Sequence, residues 1–181
     1  MLVIGIVGPK AAGKDTAARY IAKKCAGKSH SHSEILNQIL AILNLPNSRE
    51  NAIKLVALRQ KFGPEVLTKA LNKKINDEQA QVEVITGIRF DSELANIRSY
   101  PNNKIIYIDS PSELRHERQL KRQERFDDTI SYEEFIKIEK KETEVHIKEL
   151  GEKADFKIEN VGTEQEFLAK LDAIIKELGI T

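Results

Sequence analysis

The opening stretch of the chain constrains the fold more than any other. Leu2 to Val7 is an apolar run with one glycine and no charge. A strand wetted on one face alternates polar and apolar residues, so an uninterrupted run predicts a strand buried on both faces of a sheet. The run ends in Gly8-Pro9-Lys10-Ala11-Ala12-Gly13-Lys14, which has the spacing G-x-x-x-x-G-K. Asp15 and Thr16 follow, then Ala17-Ala18-Arg19-Tyr20-Ile21-Ala22, which reads as a helix. Strand, glycine loop and helix in that order predict a phosphate-cradling P-loop. Small residues let backbone N–H groups close round an anion, and the helix N-terminus adds unpaired donors and a positive dipole end. On this reading Gly8, Lys10, Ala11, Ala12 and Gly13 form the cradle. Lys14 brings a mobile charge to the β- and γ-phosphates, and Thr16 offers a hydroxyl to Mg²⁺. One departure stands out: the position after Gly-Lys usually holds Ser or Thr and here holds Asp15. A carboxylate beside phosphates needs a cation nearby or must point away, so Asp15 joins Thr16 as a candidate metal residue.

At 181 residues the chain reads as a single domain, 1–181, able to bury an adequate core. It carries 29 basic and 28 acidic residues, a net charge of +1, so no gross field recruits nucleic acid or a membrane surface. The single cysteine, Cys25, excludes an internal disulfide and a Cys-rich metal site, and reads as a small buried residue of the first helix. No apolar stretch is long enough to cross a bilayer, and the N-terminus lacks a charged start and a small-residue cleavage site. The expectation is a cytoplasmic protein, a monomer or weak homodimer.

The first helix is expected over 14–26, stopped near Gly27. Lys28 to Ser33, KSHSHS, reads as a short second strand ending at Ser33, where a substrate would sit. His30 and His32 fall on one side of an extended segment. A metal pair there lacks a flanking Cys or carboxylate cluster, and a solvated or substrate-side strand is the plainer reading. Three helices follow, at 33–45, 49–62 and 65–75, separated by Pro46 and by Gly63-Pro64. They exceed one crossover, so 33–76 is expected to be a helical insertion on the sheet edge. Strands are expected at 81–88, 104–108 and 154–159, with a helix at 91–99 between the first two. Ser110-Pro111-Ser112-Glu113 reads as a helix start capped by Ser110. Ser131-Tyr132-Glu133-Glu134 reads as a capping box opening a long helix to about Leu150, ended by Gly151. Thr163-Glu164-Gln165-Glu166 caps the last helix, which places Phe167, Leu171, Ile174, Ile175 and Leu178 on one face. This alternation predicts an α/β fold of three layers around a five-stranded parallel sheet.

Several segments in order resemble the P-loop nucleoside monophosphate kinase superfamily over nearly the whole chain, nearest to dephospho-CoA kinase, its archaeal relatives and the deoxynucleoside monophosphate kinases. They are GPKAAGKDT, Leu58-Arg59-Gln60-Lys61-Phe62-Gly63, Val84-Ile85-Thr86-Gly87-Ile88-Arg89, the arginine-bearing stretch Arg115 to Asp128, and the close Ala154 to Asn160. The resemblance implies ATP and Mg²⁺ as cofactors and a small nucleotide-like acceptor. It implies Asn160 beside the nucleotide, and Arg59 and Arg89 on the acceptor phosphate, which a guanidinium fork suits. It makes about 115–131 a short lid. Arg115, Arg118, Arg122 and Arg125 recur at spacings of 3, 4 and 3 and share one helix face. That face reads either as a solvated one paired with Glu113, Glu117 and Glu124, or as a lid in which Arg118 and Arg122, with Lys14, stabilise the transferring charge. Asp127 and Asp128 fall at the lid tip.

Thr86 stands where the resembled strand carries an aspartate that orients Mg²⁺ waters or takes the acceptor proton. Asp109, at another strand end, and Asp15 are the candidate substitutes. A hydroxyl acceptor benefits more from such a base than a phosphate oxygen does. The preferred reading is therefore phosphoryl transfer to a nucleoside or deoxynucleoside monophosphate. The alternatives are a dephospho-CoA kinase and a nucleotide-binding regulatory protein without turnover. Asn103-Lys104-Ile105-Ile106 lacks the Asn-Lys-x-Asp base reader of GTPases, and Ser110 stands where a motor ATPase carries glutamate.

Overall fold

Residues of β1 (Leu2–Val7) alternate between two separate cores, one on each face of a parallel sheet. In the computed structural model, which describes residues 1–122, 129–140 and 146–180, β1 is joined by β2 (Lys28–Ser31), β3 (Val82–Thr86), β4 (Asn103–Asp109) and β5 (Phe156–Glu159). Their order is β2-β3-β1-β4-β5, and every pairing is parallel. β1 therefore lies at the centre, and the chain crosses over it between β3 and β4. Such a switch point opens a crevice at the carboxyl ends of the strands.

Ile4 and Ile6 face α1 (Lys14–Lys24) and α10 (Glu164–Glu177). Phe167, Leu171, Ile174 and Ile175 of α10 are buried there, and the Thr163/Glu166 capping box forms as its spacing demands. Val3 and Val7 face the other way, toward α2 (His32–Ile42), α5 (Val66–Glu78), α6 (Asp91–Arg98) and α9 (Ile147–Glu152). Each fully buried Leu, Ile or Phe contributes roughly 1.5–3 kcal/mol. The apolar run of β1 is thus explained by burial on both faces.

The helices depart from the sequence reading at four places. The helix expected over 49–62 breaks at Ala57 into α3 (Arg49–Val56) and α4 (Leu58–Phe62), and Ile53 is 57% exposed. α7 (Ser112–Arg122) starts two residues after Ser110, whose hydroxyl accepts from Arg118 instead of capping the helix. The long helix expected from 131 to 150 is not continuous: α8 (Tyr132–Glu139) stops at Lys140, and α9 begins at Ile147. Gly151 lies inside α9, because a methyl there would overlap the Tyr107 ring of β4. Close approach, not chain termination, places that glycine.

His30 and His32 are both buried, which removes the solvated alternative for this strand and leaves the substrate-side one. His30 lies in β2 and its Nε2 sits 2.7 Å from Glu83 Oε2 of β3. The neighbouring strand supplies the polar partner that the local sequence could not reveal. His32 has already turned into α2, whose N-cap is Ser31. Among the described residues no helix is long and apolar enough to cross a membrane.

Candidate active site

The loop from Gly8 to Gly13 joins β1 to α1 at the carboxyl edge of the central strand. Gly8 abuts the Ile108 carbonyl so closely that a side chain is excluded. Gly13 holds φ +107° at the N-cap of α1 and gives it no side-chain cap. Ala11 holds φ +60°, a left-handed conformation that costs an alanine roughly 1 kcal/mol. Lys14 Nζ donates to the Pro9 carbonyl at 2.6 Å, folding back along the loop.

Above the loop lies a cleft of about 320 Å³. The sequence-derived candidates Lys10, Ala11, Gly13, Lys14, Asp15, Thr16, Ser33, Arg89, Arg118 and Arg122 all line it. Thr86, Gly87 and Arg19 complete the wall. Lys10, Lys14, Arg19, Arg89, Arg118 and Arg122 face a single carboxylate, Asp15, so the lining suits a polyanion. Arg19 was missed by the sequence reading, although it lies four residues after Asp15 and so on the same helix face. A second hollow of about 320 Å³ shares Asp15, Arg19, Ser33 and Thr86 with the first and extends past Ser29, Ser31, Glu34 and Asn37.

Other candidates stand behind the cleft. Gly8 and Ala12 do not line it, and Ala12 is packed into the core below the loop. Asn160 is buried, and its Nδ2 donates to the Ala12 carbonyl at 2.9 Å. Its own carbonyl accepts from Arg118 Nη2 at 3.0 Å. Asn160 thereby supports the loop from beneath. Arg59 pairs with buried Glu93 at 3.0 Å and stacks 3.9 Å over the Phe90 ring. In this arrangement it lies outside the cleft lining. Asp109 accepts from the Ser110 amide at 2.8 Å and also lies outside that lining. Arg125, Asp127 and Asp128, with residues 123–128 of the lid expected over 115–131, lie outside the described residues.

Arg115 differs most from its expected place among the exposed lid arginines. It is 6% exposed, with Nε 2.7 Å from the Ser110 carbonyl and Nη1 3.1 Å from the Lys10 carbonyl of the loop. Glu139 of α8 takes both guanidinium nitrogens, Nη2 at 3.0 Å. The spacing of 3, 4 and 3 could not separate this residue from Arg118 and Arg122.

His32 is buried beside Gly87 of the cleft wall, and neither ring nitrogen meets a partner of good geometry. Burial drives its pKa below the ordinary histidine value, opposed by Glu93 and by the backbone at Thr86, and assisted by Arg59 and Arg89. Among the described residues no group of three His, Cys, Asp or Glu could hold a metal ion alone. Mg²⁺ fits nonetheless in the manner of phosphate enzymes, where one or two protein oxygens suffice beside waters and phosphates. Asp15 and Thr16, both in the cleft wall, are the residues that would hold it.

Strand order, loop and basic crevice together are those of the P-loop kinase fold. Solved kinases superpose on nearly the whole chain. Shikimate kinase from Bacteroides thetaiotaomicron matches with a TM-score of 0.69 at 13% identity, covering 98% of each chain. Dephospho-CoA kinase from Campylobacter jejuni matches with a TM-score of 0.56 at 22% identity, again covering 98% of each chain. These likenesses define the fold and leave the substrate open. The chain belongs to the UPF0200 family. It is 30% identical over 181 residues to the UPF0200 protein of Methanoculleus marisnigri, spanning 99% of this chain and 98% of that one. It is 31% identical over 183 residues to the UPF0200/UPF0201 protein of Archaeoglobus fulgidus, covering 98% of this chain and 56% of that longer protein. No family model matches the chain.

Proposed function

We propose that the protein transfers the γ-phosphoryl group of ATP to a small phosphorylated acceptor, with a nucleoside or deoxynucleoside monophosphate as the preferred class. The observation that carries this reading is the clustering of Lys14, Arg89, Arg118 and Arg122 round one cleft whose floor is a glycine loop. Phosphoryl transfer depends on positioning and on neutralising charge, and little else is asked of the protein.

In this mechanism the loop amides and Lys14 hold the β- and γ-phosphates, which draws Nζ off the Pro9 carbonyl. Arg89 leaves the carboxyl end of β3 beside Thr86 and Gly87 and grips the acceptor phosphate. Arg118 and Arg122 reach from α7 to the transferring group, where charge spreads over its oxygens. Asp15 and Thr16 would hold Mg²⁺, which would supply charge neutralisation at the phosphates. The bond that forms joins an acceptor phosphate oxygen to the γ-phosphorus, and the bond that breaks releases ADP. An ionised phosphate oxygen carries no proton to remove, which agrees with uncharged Thr86 in the cleft wall. The body of the acceptor extends into the hollow past Ser33, whose lining of hydroxyl, amide and carboxylate groups suits a hydrogen-bonding molecule. Fully engaged with Glu93 and Phe90, Arg59 would have to swing away to touch the acceptor.

The test is a coupled ADP-release assay over a panel of nucleoside and deoxynucleoside monophosphates, with dephospho-CoA included. Turnover with a monophosphate supports the reading. Turnover with dephospho-CoA alone replaces it with transfer to a ribose hydroxyl. Tight ATP binding without transfer to any acceptor replaces it with a nucleotide-binding regulator.

A further inference from the structure

Two carbonyl oxygens of the phosphate loop are pinned from outside it. Arg115 Nη1 donates to the Lys10 carbonyl at 3.1 Å, and Asn160 Nδ2 donates to the Ala12 carbonyl at 2.9 Å. A trans peptide is planar, so its C=O and the following N–H point in opposite directions. Pinning the Lys10 carbonyl toward Arg115 therefore turns the Ala11 N–H the other way. Pinning the Ala12 carbonyl toward Asn160 does the same for the Gly13 N–H. Ala11 and Gly13 line the cleft, whereas Ala12 is wholly buried, which matches this alternation. Ala11 also sits in the left-handed region, which an alanine adopts only when its surroundings insist.

Arg115 is built for this task. It spends Nε on the Ser110 carbonyl, Nη1 on Lys10, and both terminal nitrogens on Glu139, with the buried Phe135 ring 5.4 Å away. A buried guanidinium needs a counter-charge, and Glu139 provides it from α8. A surface lid arginine would need none of these contacts.

We propose that Arg115, held by Glu139, is a positioning residue that sets the peptide orientation of the anion cradle, so that α8 contributes to triphosphate affinity without touching the ligand. This rests on the reading of the loop as a phosphate site. Calorimetry on the full-length protein with Mg²⁺ tests it, using ATP and inorganic tripolyphosphate as separate probes. Circular dichroism fixes a temperature at which every variant is folded. Arg115→Met keeps most of the volume and removes every donor; it is expected to weaken ATP and tripolyphosphate alike by about tenfold, on the scale of a lost charged hydrogen bond. Arg115→Lys, which retains the charge on a single donor nitrogen, falls between. Glu139→Gln leaves the carbonyl contacts but removes the counter-charge, and is expected to weaken both probes by about threefold. It decides the matter if Arg115→Met does not fold. Folded variants that bind tripolyphosphate as tightly as the unmodified protein overturn the proposal, as does a loss confined to ATP. Failure of the unmodified protein to bind either probe instead sinks the phosphate-site reading.

Discussion

Arg118 and Asn160 meet at 3.0 Å, guanidinium on backbone carbonyl, and through Asn160 Nδ2 the contact continues to Ala12 of the phosphate loop. The helix that carries Arg118 and Arg122 is thereby joined to the loop at the other side of the cleft. Ser110 completes the link, accepting from Arg118 Nη1 at 3.0 Å.

Asn160→Ala is expected to leave the Ala12 carbonyl without its partner inside the core. The unmet group should lower the unfolding free energy by about 1–3 kcal/mol, measured by urea titration. ATP affinity should fall with it. Asn160→Asp separates the two halves of the side-chain contact, since a carboxylate still accepts from Arg118 Nη2, as Asn160 Oδ1 does at 3.3 Å, but cannot donate to Ala12. Stability restored by aspartate would show that the Ala12 hydrogen bond matters little.

Lys14→Ala is expected to cut ATP-dependent transfer by about a hundredfold or more, as loss of a preorganised charge stabiliser does. The thermal midpoint should barely move, because the loop rests on its backbone and on Gly8, Gly13, Arg115 and Asn160. Transfer at the unmodified rate would remove Lys14 from the mechanism.

Arg89→Ala should act on the other substrate. Its guanidinium lines the cleft next to Thr86 and Gly87. Removing a charged hydrogen-bonding group of this kind should raise the acceptor KM by about ten- to a hundredfold, with the ATP KM nearly unchanged. Steady-state kinetics with each substrate varied in turn reads the split, and equal effects on both would reassign the residue.

His32 gives a pH dependence of defined sign. Burial lowers its folded-state pKa, so the unfolded chain binds a proton at a pH where the folded chain does not. Stability from this group is present above its unfolded value, about 6.5, and is lost as pH falls toward the lower folded value. His32→Leu removes the proton uptake. The variant should therefore gain on the unmodified protein steadily as the medium is acidified from pH 7, in urea titrations at several pH values. A constant difference across that range would show that the ring titrates alike in both states.

Much of this molecule was legible before folding. The uninterrupted run Leu2 to Val7 announced a strand buried on both faces, and G-x-x-x-x-G-K announced the loop after it. Ser131/Glu134 and Thr163/Glu166 capping boxes formed where three-residue spacing placed them. Lys14, Thr16, Ser33, Arg89, Arg118 and Arg122 all line one cleft. These features are local: periodicity, steric allowance and capping act within a few residues. What the chain could not disclose by itself depended on partners distant in sequence. His30 read as solvated or substrate-side until β3 set Glu83 against it, and Gly151 looked like a helix stop until β4 set the Tyr107 ring against it. Arg115, Arg118 and Arg122 were equivalent on one helix face, and only packing against Lys10, Ser110 and Glu139 set the first of them apart. Local chemistry settled which segments are strands, loops and helix starts; the tertiary structure decided which charges are buried supports and which face the cleft, because burial and pairing are set by contacts across the fold.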